Sequence, residues 1–303
     1  MSETLEQAET AVSLVPSNGS VPKQSVESGG DARVVAHFES AAPDWQRIYS
    51  RRDVWGIIHQ DRLCKAIGWV KELGLLQGSR VLDAGCGAGL ATLAFAQQGY
   101  EVEAIDAAPG MVALTEQQAR QMNLNQKIKA RVSEIYSLPF ADGSFSLVVS
   151  LGVIPWLERP ESAIVELSRV LQRGGHLLLT ADNESRLPWL LDPFTSPALR
   201  QIKSLAKNVL RLGGREQRDV GIRSHQHSIA EIDGFLSRAG MERSRLISFG
   251  FGPFTFAYRK VLPEWLGVRV HKLLQHLADL GVPGICSVGA QFLILAQKNL
   301  VSK

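Results

Sequence analysis

Between residues 61 and 182 short apolar runs alternate with segments whose apolar residues recur every three or four positions. The runs are Arg80–Ala84, Glu101–Ile105, Ile128–Val132, Phe145–Leu151 and His176–Ala181. Their length and richness in β-branched residues predict buried strands. Leu90–Gln98, Gly110–Met122 and Pro160–Leu171 carry the helical period, and Asp61–Gly74 predicts a further helix with Leu63, Ile67, Val70 and Leu73 on one face. Strands and helices in strict alternation predict a parallel sheet joined by right-handed crossovers. Gly174-Gly175 is expected to end the last of these helices before the fifth strand.

Beyond residue 182 the rhythm breaks. Asn183–Ser224 opens on Pro188, Pro193 and Pro197 and continues as an expected helix, Ala198–Leu212. Ile229–Ala239 is amphipathic, with Ser228 as its natural N-cap and Gly240 as its stop. Arg243–Phe249 and Gln291–Gln297 predict a sixth and a seventh strand, separated by a segment holding a helix near Glu264–Leu280. Two insertions, near 184–224 and 250–289, are expected to form lids over a pocket at one edge of the sheet. Residues 1–32, rich in Ser, Gly, Glu and Gln without periodicity, are expected as a disordered tail, leaving 33–303 as one domain.

With 303 residues, 45% of them hydrophobic, the chain is long enough for one large α/β core. No apolar run reaches the roughly 18 residues that span a bilayer. The opening Met-Ser-Glu-Thr-Leu-Glu lacks the basic-then-apolar order of a secretory signal. Cys64, Cys86 and Cys286 form neither a disulfide framework nor a metal spacing, so a cytoplasmic setting is expected and no metal. The net charge of +3 does not imply a nucleic acid partner. Within 198–223, Arg200, Lys203, Lys207, Arg211, Arg215 and Arg218 interleave with Leu199, Ile202, Leu205, Val209 and Leu212. That pattern suits first a lid helix with a solvated basic face, and as the alternative a helix lying on an anionic membrane.

The most informative run is Val-Leu-Asp-Ala-Gly-Cys-Gly-Ala-Gly at 81–89. It leaves a strand, turns through Gly85, Gly87 and Gly89, and enters a helix whose first N–H groups are free for a ligand. A dinucleotide-binding turn has Gly-x-Gly-x-x-Gly, whereas here Leu90 occupies the third glycine's place. Asp83, at the strand's carboxyl end, would repel a pyrophosphate and attract a cation. S-adenosylmethionine carries a sulfonium and an ammonium and no phosphate, and these residues favour it over NAD. Asp106, about 20 residues beyond the turn, is placed to accept from both hydroxyls of a ribose. Glu134, after the third strand, is placed to accept from an adenine amino group.

These residues, with Ala-Ile-Asp (104–106) and Met111, Leu-Pro-Phe-Ala-Asp-Gly-Ser-Phe (138–145) and Glu-Leu-Ser-Arg-Val-Leu-Gln-Arg-Gly-Gly (166–175), resemble the class I S-adenosylmethionine-dependent methyltransferases. The likeness is to the small-molecule branch that includes ubiquinone and menaquinone biosynthesis enzymes, and it covers residues 36–182 well. It implies a doubly wound, Rossmann-like α/β fold, a mostly parallel seven-stranded sheet whose last strand is antiparallel. It implies that Asp83 and the glycines hold the methionine end, Asp106 the ribose, and Glu134 with Ile135 the adenine. Met111, Leu151, Trp45 and Tyr49 complete the cofactor-binding set expected on this likeness. Two departures touch the substrate side. Gly-Val-Ile-Pro-Trp (152–156) lacks the family's frequent His, and Trp45 replaces a tyrosine.

For proton removal, His227 and His225 before the 229–239 helix are the candidates, with His59 beside the aromatic cluster Trp45, Tyr49 and Trp55. The reading that follows is in-line methyl transfer to a small-molecule or lipid-like acceptor, at oxygen or carbon by analogy with the family. Two other classes stay open on the residues alone. One is a nicotinamide oxidoreductase, opposed by the absence of a Tyr-x-x-x-Lys pair. The other is a non-catalytic cofactor-binding scaffold.

Overall fold

A computed structural model of the chain describes residues 29–48, 50–187, 224–256 and 259–300. In chain order the elements are α1 (Gly29–Ile48), α2 (Val54–Glu72), β1 (Arg80–Ala84), α3 (Leu90–Gln97), β2 (Glu101–Asp106), α4 (Pro109–Gln121), β3 (Ile128–Val132), β4 (Phe145–Ser150), α5 (Pro160–Val170), β5 (Leu171–Asn183), β6 (Gln226–His227), α6 (Ile229–Arg238), β7 (Met241–Phe249), β8 (Thr255–Phe256), β9 (Arg259–Lys260), α7 (Glu264–Asp279) and β10 (Gln291–Lys298). The main sheet runs β3-β2-β1-β4-β5-β10-β7, with the two-residue β6 added in parallel to the end of β5. The seven expected strands are all present, and β6 makes an eighth. β10 runs antiparallel to both β5 and β7, and the other main-sheet pairings are parallel.

Both faces of the sheet are covered, which is why its strands read as continuous apolar runs. Leu82, Val148, Leu177, Leu179 and Ile294 point to the face packed by α5 and α6. Val81, Leu147, Val149, Leu178 and Leu293 point to the face packed by α2 and α3. Two of the sequence motifs lock together on the first face. Glu166 on α5 accepts from the Leu138 N–H (2.7 Å), and Arg169 donates to the carbonyls of Phe140 (2.8 Å) and Leu138 (3.1 Å) and to Asp142 (2.6 Å). That network fixes the loop between β3 and β4, which forms one wall of the site described below.

Four local expectations are corrected. α1 begins at Gly29, so the last four residues of the expected 1–32 tail are helical. α2 starts at Val54, where Asp53 caps it by accepting from the Gly56 N–H (2.9 Å). Its buried stripe is Ile58, His59, Arg62, Ala66 and Val70, whereas the expected Leu63 and Ile67 are only partly buried. The stripe is turned toward polar residues that serve the interior, which an apolar count cannot see. Finally, α5 stops at Val170 and β5 already runs through Gly174-Gly175, with a register shift against β4 between Phe145 and Leu147. The expected helix Ala198–Leu212, the basic stretch 198–223 and Tyr49 lie outside the described residues.

Candidate functional site

In an open sheet with this strand order, the connections leave β1 in one direction and β4 in the other, so the carboxyl ends of these two neighbours open a crevice. A cavity of about 1020 Å³ occupies it. The glycine turn after β1, Asp106 at the end of β2, Glu134 and Ile135 after β3, and Leu151–Val153 after β4 all line it. α1 crosses one side with Val34, Val35, Phe38 and Trp45, and Trp156 and Leu157 close the other. The volume is at the upper end of the roughly 300–1,000 Å³ of ligand pockets, room for a cofactor with an acceptor beside it.

The turn itself is held rigid. The N–H groups of Gly85 and Cys86 donate to the Ile105 carbonyl (2.8 and 2.9 Å), and Thr115 and Gln118 of α4 donate to the carbonyls of Gly87 (3.0 Å) and Ala88 (2.6 Å). Gly85 has φ +81°, and a Cβ there would stand 2.2 Å from a Val153 methyl. Gly89, at φ +82°, is the N-cap of α3, and a Cβ there would meet Thr115 at 2.6 Å. Any other residue at these two positions would combine backbone strain with a clash.

Two carboxylates define the electrostatics. Asp83 is 1% exposed, and its Oδ2 accepts from the Thr92 hydroxyl (2.6 Å). Burial, with the neighbouring Asp106 adding to it, pushes its pKa up from the ordinary 3.8 to about 6. Asp106 accepts from the Gly87 N–H through Oδ2 and from the Ala108 N–H through Oδ1, both at 2.9 Å. Burial raises its pKa too, against the pull of these backbone donors. Each of its oxygens keeps a lone pair for further donors. Asp31, Glu134 and Glu158 also line the cavity, against the cations Arg62 and Arg159. The excess of negative charge suits a cationic ligand and opposes a pyrophosphate.

α1 is fastened to this frame. Glu39 accepts from the Gly110 N–H at the start of α4 (2.8 Å), Phe38 meets Trp156 edge-on (5.4 Å), and Ala42 packs with Ala108 and Met111. Of the expected cofactor residues, the cavity lining brings together Asp83, Gly85, Gly87, Asp106, Met111, Glu134, Ile135, Leu151 and Trp45, with Gly89 directly behind as the helix cap. Arg62, 6% exposed on α2, lines the cavity beside Gly152, with Nη1 2.8 Å from where a Cβ there would lie. Sequence reasoning missed it, because an arginine at the flank of an amphipathic pattern reads as a solvated side chain.

The three histidines lie elsewhere. His59 is buried between Trp55 (4.7 Å) and Trp45 (5.6 Å), with Nδ1 2.8 Å from the Trp55 carbonyl. It is absent from the cavity lining, and burial, reinforced by Arg62, lowers its pKa to about 3, too weak a base for a proton near neutrality. His225 and His227 line a second, adjoining cavity of about 420 Å³ that shares Leu157, Glu158 and Arg159 with the first. His227 is 3% exposed, with Nδ1 3.0 Å from Glu231 Oε2 and Nε2 buried without a partner among the described residues. The insertion at 250–289 does not line the main cavity either. Its helix α7 packs against α2 and β7. Trp55, 44% exposed, stands outside the cavity. Among the described residues no three His, Cys, Asp or Glu side chains gather as a metal site would require.

Comparison with known proteins agrees with this geometry. Residues 82–179 match the family described as a methyltransferase domain. The chain is 26% identical over 235 residues to the ubiquinone biosynthesis O-methyltransferase of Pseudomonas aeruginosa (strain LESB58), covering 77% of this chain and 92% of that one. In fold it is similar to magnesium protoporphyrin IX methyltransferase from Synechocystis PCC 6803, solved with bound S-adenosylhomocysteine (TM-score 0.58, 19% identity, 89% of this chain and all of that one). Geranyl diphosphate C-methyltransferase from Streptomyces coelicolor A3(2) shares the fold at TM-score 0.50 and 16% identity, over 78% of this chain and 79% of that one.

Proposed function

We propose that this chain, a class I S-adenosylmethionine-dependent methyltransferase, moves the methyl group to an oxygen or carbon of a small, largely apolar acceptor. The observation that carries the reading is the pair of carboxylates, Asp83 and Asp106, at the ends of neighbouring strands and facing one cavity across a glycine backbone. Bound S-adenosylmethionine supplies a methyl carbon made electrophilic by the sulfonium beside it. Asp83 would accept from its ammonium group, and Arg62 would donate to its carboxylate. Asp106 would hold the ribose, and Glu134 with Ile135 the adenine. The open space at Gly87, where a Cβ would meet nothing within 4 Å, lets a ligand approach the backbone itself.

What the rest of the chain contributes is alignment and dryness. Phe38, Trp45, Trp156 and Leu157 present aromatic and aliphatic walls, which exclude water and fix a flat or branched apolar acceptor. Alignment of this kind can lower a bimolecular barrier by about 7–11 kcal/mol. Where the acceptor is a hydroxyl, a proton must leave. His227, which lines the adjoining cavity and donates its Nδ1–H to Glu231, is the candidate to take up that proton. The likeness to a ubiquinone biosynthesis enzyme supports a phenolic or quinol acceptor with an apolar tail. Contact of the basic segment 198–223 with an anionic membrane belongs to the same proposal. Transfer of labelled methyl from the donor to a panel of phenols, quinols, amines and prenylated phenols tests it. Exclusive methylation of amines would overturn the acceptor assignment.

A further inference from the structure

The helix α7 is built inside out. The residues it turns to the body are Gly267, His271, Gln275 and Ala278. Those on its outer side are Trp265 (61% exposed), Arg269, Lys272, Leu273 (59%) and His276, and Leu280 (67%) follows on the same stripe. The spacing i, i+4, i+7, i+8, i+11, i+15 is that of one helix face. Besides the packing of Val268 against the core, the orientation is held by hydrogen bonds. His271 Nδ1 accepts from the Phe251 N–H (3.1 Å), which leaves Nε2–H for Asp61 Oδ2 (3.1 Å). Gln275 accepts from the Gly250 N–H (3.0 Å) and donates to Asp279 (2.9 Å). Gly267 lets the helix approach Val54, where a Cβ would come to 3.0 Å. Rolling α7 to bury its apolar side would strip buried partners from both polar side chains and from the chain end of β7.

The charges are sorted as well. Both acids of the helix are engaged toward the body: Glu264 meets the Val54 N–H (3.5 Å) beside Arg51, and Asp279 pairs with Lys65 (2.7 Å). The bases Arg269 and Lys272 stay on the outer face, with Arg269 over the Trp265 ring (5.3 Å). An outer face that is apolar and basic, with its tryptophan at one end, has the composition that settles at a negatively charged lipid–water boundary. Exposed Val261 lies just ahead of α7.

We propose that the outer face of α7 docks on an anionic lipid surface. The docking stands on α7 alone. Its use, bringing the cavity that α2 helps to line near an acceptor dissolved in the lipid, rests on the methyltransferase reading. The test is co-sedimentation of the full chain with vesicles of phosphatidylcholine alone and of phosphatidylcholine mixed with phosphatidylglycerol. Binding is expected to the mixed vesicles, weakening as salt is raised. Trp265→Ser with Leu273→Ser is expected to weaken it at least about tenfold. Arg269→Glu with Lys272→Glu is expected to weaken it by more than about twentyfold, at roughly fivefold for each base removed. Melting temperature and S-adenosylhomocysteine affinity are expected to be unchanged in both variants, which separates a failed dock from a failed fold or cofactor site. The proposal is overturned if the parent ignores the mixed vesicles, or if both variants bind them as the parent does. It is equally overturned if the parent sediments as a dimer that the apolar variant converts to a monomer, because the face would then join two copies.

Discussion

Replacing Asp83 with Asn isolates the charge at the centre of the site. The carboxyl is 1% exposed, and burial raises its pKa from 3.8 to about 6 in the ligand-free fold. The sign of the linkage follows from that direction. Between these two values the folded chain binds a proton more tightly than the unfolded chain, so stability is highest below the ordinary pKa and falls as pH rises through the interval. A rise of this size corresponds to about 3 kcal/mol lost by neutral pH. Asp83→Asn keeps an oxygen to accept from Thr92 but cannot ionise. It is expected to gain up to about 3 kcal/mol of stability at neutral pH and to lose the slope between about pH 4 and 6. Cofactor binding should move the other way. Removing a charge-assisted contact to the ligand's ammonium costs about 1.5–3 kcal/mol, a roughly ten- to hundredfold weaker affinity for S-adenosylhomocysteine. In the parent, affinity should fall about tenfold from about pH 7 to pH 5 as Asp83 is neutralised, and this part of the pH dependence should vanish in the variant. Denaturant melts across pH, paired with calorimetry, read both effects. A variant that is no more stable at neutral pH, yet binds as tightly as the parent, would refute the reasoning.

Asp106→Ala deprives the Gly87 and Ala108 N–H groups of their acceptor and removes the ribose contact, so calorimetry should show S-adenosylhomocysteine binding reduced at least about tenfold with circular dichroism unchanged. Gly85→Ala forces a Cβ onto Val153 at φ +81° and is expected to lower stability by about 1–3 kcal/mol in denaturant melts, and an unperturbed melt would mean the turn relaxes freely. His227→Ala should cut turnover of a hydroxyl acceptor by about 10²–10⁴ while S-adenosylhomocysteine affinity holds, and an undiminished rate would remove it as the base.

The half of the site proposed to hold the cofactor was legible because its chemistry is carried by backbone and by strand ends. Gly85, Gly87, Gly89, Asp83 and Asp106 sit within a single strand–turn–helix–strand unit, and spacing alone puts them together. The acceptor half was not legible, because its walls come from α1, α2 and the 151–159 loop, which meet only in three dimensions. Arg62 shows the difficulty. Leu63 and Ile67 define the apolar stripe of α2 on paper, yet the side actually buried carries His59 and Arg62. The same inversion hid the orientation of α7, where His271 and Gln275 point inward because the end of β7 offers them partners. His59 was placed beside the aromatic cluster correctly, but neighbours that remove it from water also remove its basicity.

The central claim is that a negatively charged, glycine-lined crevice between β1 and β4 is shaped for a cationic methyl donor. Side-by-side calorimetric titration of the full chain with S-adenosylhomocysteine and with NADH tests it most directly. Saturable, one-to-one binding of S-adenosylhomocysteine with no heat from NADH is the predicted result. Binding of NADH with indifference to S-adenosylhomocysteine would contradict it.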